Sequence, residues 1–227
     1  MRVNVLANGP SKKYFKKENP EGELLLCNIP AYKIAPSKVH GLCMTDSRFL
    51  KFLCTGVLDY GNGGDFYQEE KEPPRLDQYT WILGQRAVKY ARKNPEQLKQ
   101  FNNKRIFMHR ISSSTGLLAM KYAHDVILNK FQDKGQIHVY GMDALFRDSV
   151  SSSTHKIVGR SNQEHGVELT LEGWRVSMYK WLTERHQESK VKFYFYTDKE
   201  EMILPKPDFR QPKNVTIRGL QTPQTMV

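Results

Sequence analysis

The sequence predicts an α/β protein: a single Rossmann-like domain with a mostly parallel central sheet, helices on both faces, and small loop insertions able to serve as a lid. Three observations predict it. Leu24-Leu25-Leu26-Cys27 is a continuous apolar run, which a strand covered on both faces requires. Strand-like runs come first and then alternate with helical periodicity, the pattern of a parallel sheet clad in helices. The stretch from His109 to Asp143 reads as loop, helix and strand, and its carboxyl end carries Asp143 toward the region where open α/β sheets bind ligands.

Taken in order, residues 3–7 alternate and run into Asn8-Gly9-Pro10-Ser11, a first strand followed by a turn. Asn8 and Gly9 are candidate contacts to a phosphate or ribose; the same stretch also reads as a plain turn. Lys12 to Lys17 holds four lysines around Tyr14 and Phe15, a basic aromatic run that suits a solvated face or a phosphate backbone. Leu24–Cys27 forms the second strand, with Asn28 at its carboxyl end. Val39–Met44 is a third, closed by Thr45-Asp46. Phe49–Val57 suits helix or strand equally, and Asp59–Arg75, rich in Gly, acid and Pro, reads as a long loop.

Trp81-Ile82-Leu83 begins a strand or a helix, and Arg86 to Phe101 reads as one basic helix carrying Arg86, Lys89, Arg92, Lys93 and Lys99. Its positive face either meets an anionic acceptor or membrane, or is simply solvated. Leu117, Leu118, Met120, Tyr122, Ala123, Val126, Ile127 and Leu128 recur at helical spacing, so a helix begins at or just after Gly116. The hydroxyls before it cap its orphan N–H groups, and those groups with the helix dipole form a seat for phosphate. Ile137–Gly141 is the next strand; Gly173–Gln187 is a helix whose Trp174, Val176, Met178, Trp181 and Leu182 pack on the sheet; Val191–Tyr196 is the last strand. The domain spans residues 1–204. Residues 205–227, with four prolines and several basic residues, run as an extended tail over the surface.

Composition bounds the function. The 227 residues suffice for one α/β domain with a full core, and 39% hydrophobic with 26% charged residues exclude a largely disordered chain. No apolar stretch is long enough to span a bilayer, and MRVNVLANGP enters a strand without the apolar run of a signal peptide. Cys27, Cys43 and Cys54 lack the paired spacing of a zinc site or a disulfide framework, which points to buried, reduced thiols in the cytoplasm, or a host's cytoplasm for a viral protein. A net charge of +11 implies a polyanionic partner: nucleic acid, an acidic membrane surface or a phosphorylated donor.

The run Ser113-Ser114-Thr115-Gly116, its helix, and Ile137-His138-Val139-Tyr140-Gly141-Met142-Asp143 resemble the S motif of sialyltransferases. Val3–Ser11 is similar to the first strand and Asn-Gly-Pro-Ser turn of the bacterial members, and Leu24–Pro30 to their second strand ending in Asn. The resemblance implies a sialyltransferase-like variant of the GT-A fold and a nucleotide-sugar donor held by Asn8, Gly9, Ser11, Asn28, Ser114, Thr115, Gly116 and Asp143.

Glycosyl transfer needs a seat for the nucleotide phosphate, a base for the acceptor hydroxyl and a means of neutralising the departing phosphate. No Asp-x-Asp occurs, so no metal is expected, in keeping with the resemblance. For the base, the resemblance calls for a His between the S-motif strand and the last helix. His165, ahead of Glu168, is the first choice and His155 the second; where the bacterial pattern has its catalytic His, Arg160 stands. The tyrosines that follow the Asp in the bacterial enzymes are replaced by Ala144, Leu145 and Phe146, leaving Arg110, Arg147 or Arg160 to supply charge. The expected function is a metal-independent inverting glycosyltransferase. Its acceptor is duplex DNA with a hydroxylated base, as in phage-type DNA hypermodification, or a surface glycan reached by CMP-sialic acid chemistry; a non-catalytic nucleic-acid-binding protein is the reading from another class.

Overall fold

A computed structural model describes residues 1–28, 34–47, 49–51, 79–98, 106–108, 114–128, 134–148, 167–188 and 190–219. Eight strands form one sheet: β1 (Arg2–Leu6), β2 (Glu23–Cys27), β3 (Gly41–Met44), β4 (Trp81–Leu83), β5 (Ile106–Met108), β6 (Gln136–Tyr140), β7 (Lys192–Tyr196) and β8 (Val215–Arg218). Their spatial order is β5-β4-β3-β2-β1-β6-β7-β8, and every pairing is parallel. The chain thus moves outward from β1 to β5, returns, and continues from β6 on the other side of β1. This is the Rossmann-like α/β class that the sequence predicts, with the point of reversal between β1 and β6.

The reversal decides which face each helix covers. Crossovers between parallel strands are right-handed, so helices serving strands laid down in opposite directions fall on opposite faces. α1 (Lys13–Glu18) and α2 (Gln85–Lys93) lie on one side, where Tyr14, Ala87 and Ala91 join Leu6, Leu24, Leu26, Leu42, Met44, Trp81 and Leu83. A short α3 (Pro95–Leu98) follows α2. α4 (Thr115–Tyr122) and α5 (Val167–Glu188) cover the other side, where Leu117, Leu118, Met178 and Leu182 meet Val3, Val5, Leu25, Cys27, Val139, Phe193 and Phe195. The alternation of strand side chains splits each central strand between the two cores, which is why Leu24–Cys27 is apolar throughout. Leu117 to Met120 are all buried, and each fully buried Leu contributes roughly 2 kcal/mol.

Several elements depart from expectation. The basic helix is broken: Asn94 ends α2 and Pro95 opens α3, because proline disfavours the helical conformation in the residue before it and has no N–H to continue the ladder. β5 falls where no strand was predicted; three residues are too few to display a period. α4 starts at Thr115, one position before Gly116, and its last turns widen into a π-helix over Ala123–Leu128. α5 begins at Val167 rather than Gly173. The tail does not only run over the surface: Val215–Arg218 pairs with β7 as the edge strand, so the sheet extends beyond the predicted boundary at residue 204. Phe49 and Leu50 are buried and, with Lys51, helical, while residues 52–57 and all of Asp59–Arg75 lie outside the described residues.

Candidate functional site

The carboxyl ends of β1, β2, β3 and β6 and the amino terminus of α4 meet at one edge of the sheet. Its construction begins at β1. Ala7 N donates to Tyr140 O (2.8 Å) and Gly9 N to Gly141 O (2.9 Å), so the loops after β1 and β6 are zipped together at the switch point. Gly141 makes this possible with φ of 74°, a left-handed value that glycine adopts without penalty. Ser11 then ties the two loops together, its Oγ donating to Asp143 Oδ2 at 2.8 Å and accepting from Gly141 N at 3.1 Å.

A second knot joins β2, β3 and α4. Ser114 Oγ accepts from Leu117 N (3.2 Å), capping the helix as its sequence predicts. Thr115 Oγ1 donates to Asn28 Oδ1 (2.9 Å), lies 2.9 Å from Thr45 Oγ1 and accepts from Thr45 N (3.3 Å). Asn28 is held in the left-handed region (φ 57°) with its N–H on Cys43 O, and Asn8 Nδ2 donates to Cys27 O at 2.5 Å. Asn8, Gly9, Ser11, Asn28, Ser114, Thr115, Gly116 and Asp143 are therefore brought to one end of the sheet. That is the crevice outside the carboxyl ends of the strands, at the topological reversal, where open α/β sheets take ligands.

Their roles differ from expectation in three respects. Asp143 does not face the crevice: its side chain is buried, and Oδ2 is committed to Ser11 N and Oγ. It braces the first loop, and a contact between its carboxylate and a bound donor is not what this geometry offers. The Thr115 hydroxyl is likewise spent on Asn28 and Thr45, which leaves the Thr115 and Gly116 amides at the start of α4 as the groups able to hold an anion there. Arg147 is already paired: one Nη2 lies 2.6 and 2.7 Å from the two oxygens of Asp198, and Nε is 3.4 Å from Asp143 Oδ1. Burial alone would push the Asp198 carboxyl up, but the Arg147 hydrogen bond and charge outweigh it and hold the group below its usual value. Arg147 is thus spent on Asp198 and Asp143. Arg110, Arg160, His155 and His165 lie outside the described residues.

Sequence reasoning missed three residues of this region. Thr45 is the partner that fixes Thr115; its position directly after a buried parallel strand was the available signal. Met142, half-buried, lies over Gly116, where a side chain on Gly116 would meet its Sδ and Cε. Arg175 on α5 is buried and donates to Ala144 O (2.8 Å) and Arg147 O (2.6 Å), fastening the turn after β6; burial lowers its pKa. Cys27 and Cys43 are free and buried, with burial pushing the Cys27 thiol up to about 12 and Cys43 well above its ordinary value. Such thiols are inert packing groups.

Comparison with protein-family models, curated proteins and solved structures finds no match to the chain. Among the described residues no helix is long and apolar enough to cross a membrane.

Proposed function

We propose that the protein is a metal-independent inverting glycosyltransferase that moves a sugar from a nucleotide-sugar donor to an acceptor hydroxyl, with a hydroxylated base in duplex DNA as the acceptor. The observation that carries the reading is the Ser114-capped start of α4, tied through Thr115 to Asn28 after β2 and Thr45 after β3, at the same edge of the sheet as the joined loops after β1 and β6. A capped helix terminus with two spare amides stabilises a leaving phosphate, and neighbouring loops rich in Asn, Gly and Ser admit a nucleotide closely. In the reaction the acceptor oxygen bonds to the anomeric carbon as the bond from that carbon to the donor phosphate breaks. The acceptor proton passes to His165 or His155, the nucleotide leaves with the bonding electron pair, and the Thr115 and Gly116 amides donate hydrogen bonds to its phosphate.

The net charge of +11 favours a polyanion, and a base carrying a hydroxyl would be flipped from the stack to reach the crevice. The decisive experiment incubates the protein with CMP-, UDP- and GDP-sugars and duplex DNA containing hydroxymethylated bases, then digests the DNA and weighs the nucleosides. A mass gain of one sugar, abolished in H165A or H155A, is the expected result. No gain with any donor, together with no change in melting temperature on adding any of the nucleotides, sinks the reading and leaves the non-catalytic nucleic-acid-binding alternative.

A further inference from the structure

At the opposite edge of the sheet, a groove of about 500 Å³ opens between the amino ends of β1, β6 and β7, lined by Met1, Arg2, Lys134, Gly135, Gln136, Lys190 and Lys192. Its chemistry is one-sided. Lys134, Lys190 and Lys192 are exposed, and among the described residues none has a side-chain ion pair or hydrogen bond. Arg2 is the exception, donating to Tyr140 Oη (2.7 Å) and Glu18 Oε2 (3.2 Å), so its charge is partly answered. A concave surface concentrates the field of such charges, whereas the exposed cations of α2 (Arg86, Lys89, Arg92 and Lys93) stand on a convex helix.

We infer that this groove seats phosphates of a nucleic-acid backbone. The inference deepens the acceptor half of the reading above and rests on it for the choice of DNA; donor binding does not enter. The sheet supplies the connection between the two edges. On the face opposite α5, β6, β7 and β8 carry Gln136, His138, Lys192, Tyr194, Thr216 and Arg218, of which Gln136, Lys192, Thr216 and Arg218 are exposed. Arg218 lies with Cζ 4.3 Å from the Tyr194 ring centroid, fixed at the carboxyl end of β8. Cations therefore stand at both ends of this face. From Gln136 to Gly141 the strand rises roughly 16 Å. That is about five steps of duplex at 3.4 Å per step, so one duplex lying along the strands reaches the groove with its flanking phosphates and the crevice with its target base. A membrane surface is the weaker fit, since exposed large apolar side chains near the groove are confined to Met1 among the described residues.

The test is fluorescence anisotropy of a labelled duplex DNA over a series of salt concentrations, with wild type, K134A/K190A/K192A, and K89A/R92A/K93A, which removes the same charge from α2. The substituted side chains are exposed, and melting curves verify that all three proteins fold. The groove variant is expected to lose at least about tenfold in affinity, with the slope of log K against log salt reduced by about 2 to 3, while the α2 variant changes far less. Equal losses in the two variants, or wild-type binding by the groove variant, overturn the groove while leaving the donor reading untouched. Failure of the wild type to bind duplex at low salt overturns the groove and the DNA acceptor together. Sedimentation with phosphatidylserine vesicles, lost in the groove variant while DNA goes unbound, also overturns the inference and assigns the surface to a membrane.

Discussion

Asp143 Oδ2 accepts two hydrogen bonds from Ser11, from the backbone N at 2.9 Å and from Oγ at 2.8 Å, so a carboxylate after β6 holds the loop after β1 in place. Replacing Ser11 with Ala removes the hydroxyl and leaves the buried carboxylate one partner short. Urea unfolding should show S11A destabilised by about 1 to 3 kcal/mol, and D143A by more, because it also strips Arg147 of a buried partner. Wild-type stability for both would mean that the brace does not operate.

Two glycines at the crevice should answer differently to the same methyl group. A Cβ on Gly9 meets the Asp143 carboxylate and, at 2.6 Å, the Gly141 carbonyl, neither of which can retreat. G9A should therefore cost on the order of 2 kcal/mol or more. A Cβ on Gly116 meets only the far end of Met142, which can rotate away, and alanine favours the helix by about 1 kcal/mol. G116A should come out near neutral in thermal melts.

Thr115 is a positioning residue whose hydroxyl serves Asn28 and Thr45. T115V leaves Asn28 Oδ1 and Thr45 N without that partner, and the melting shift produced by the preferred nucleotide should shrink as affinity falls about tenfold, or ~1.4 kcal/mol. T115S retains the hydroxyl and should recover most of the shift. Were serine as poor as valine, the methyl packing and not the hydroxyl would be what matters.

Met142 Sδ and Cε lie beside Gly116 at the start of α4, next to the proposed phosphate seat. M142A clears that space, so isothermal titration should find the nucleotide bound more tightly than by wild type. Weaker binding would show instead that the thioether belongs to the seat.

His138 provides a pH signature. Burial, then the charges of Arg2 and Arg218, bring its imidazole down to about 3 from an ordinary 6.5. Its neutral ring is held between Tyr196 Oη (2.9 Å from Nδ1) and Gln136 Oε1 (3.1 Å from Nε2), and stacks on Tyr194. The unfolded chain takes up a proton that the folded protein refuses, so this stabilisation is complete above about pH 6.5 and drains away as pH falls toward about 3. H138N, which does not titrate, should flatten the acid limb of the stability curve by up to one proton, or ~1.4 kcal/mol per pH unit. Parallel acid limbs in the two proteins would remove His138 as the cause.

Legibility varied with how locally each feature is encoded. Leu24–Cys27 announced a central strand because both of its faces are buried, and Ser114 announced a helix start because a cap bonds within its own turn. β5 has three residues and no period to display, and β8 hides in a proline-containing segment whose strand character comes from pairing with β7. The break between α2 and α3 was present in Asn94-Pro95 and was outvoted by the charge pattern around it.

The amino-acid sequence by itself determined the α/β class, the parallel sheet, the capped α4 and the gathering of Asn, Gly, Ser and Thr residues for the carboxyl edge. Only the tertiary structure decided what those residues touch: that Asp143 turns inward to Ser11, that Arg147 is spent on Asp198, and that Thr115 answers to Thr45. The reason is physical. Apolar periodicity and caps are written within a few neighbouring residues, whereas the partner of a buried polar group is whatever side chain the fold delivers to it, here from 132 positions away for Ser11 and Asp143.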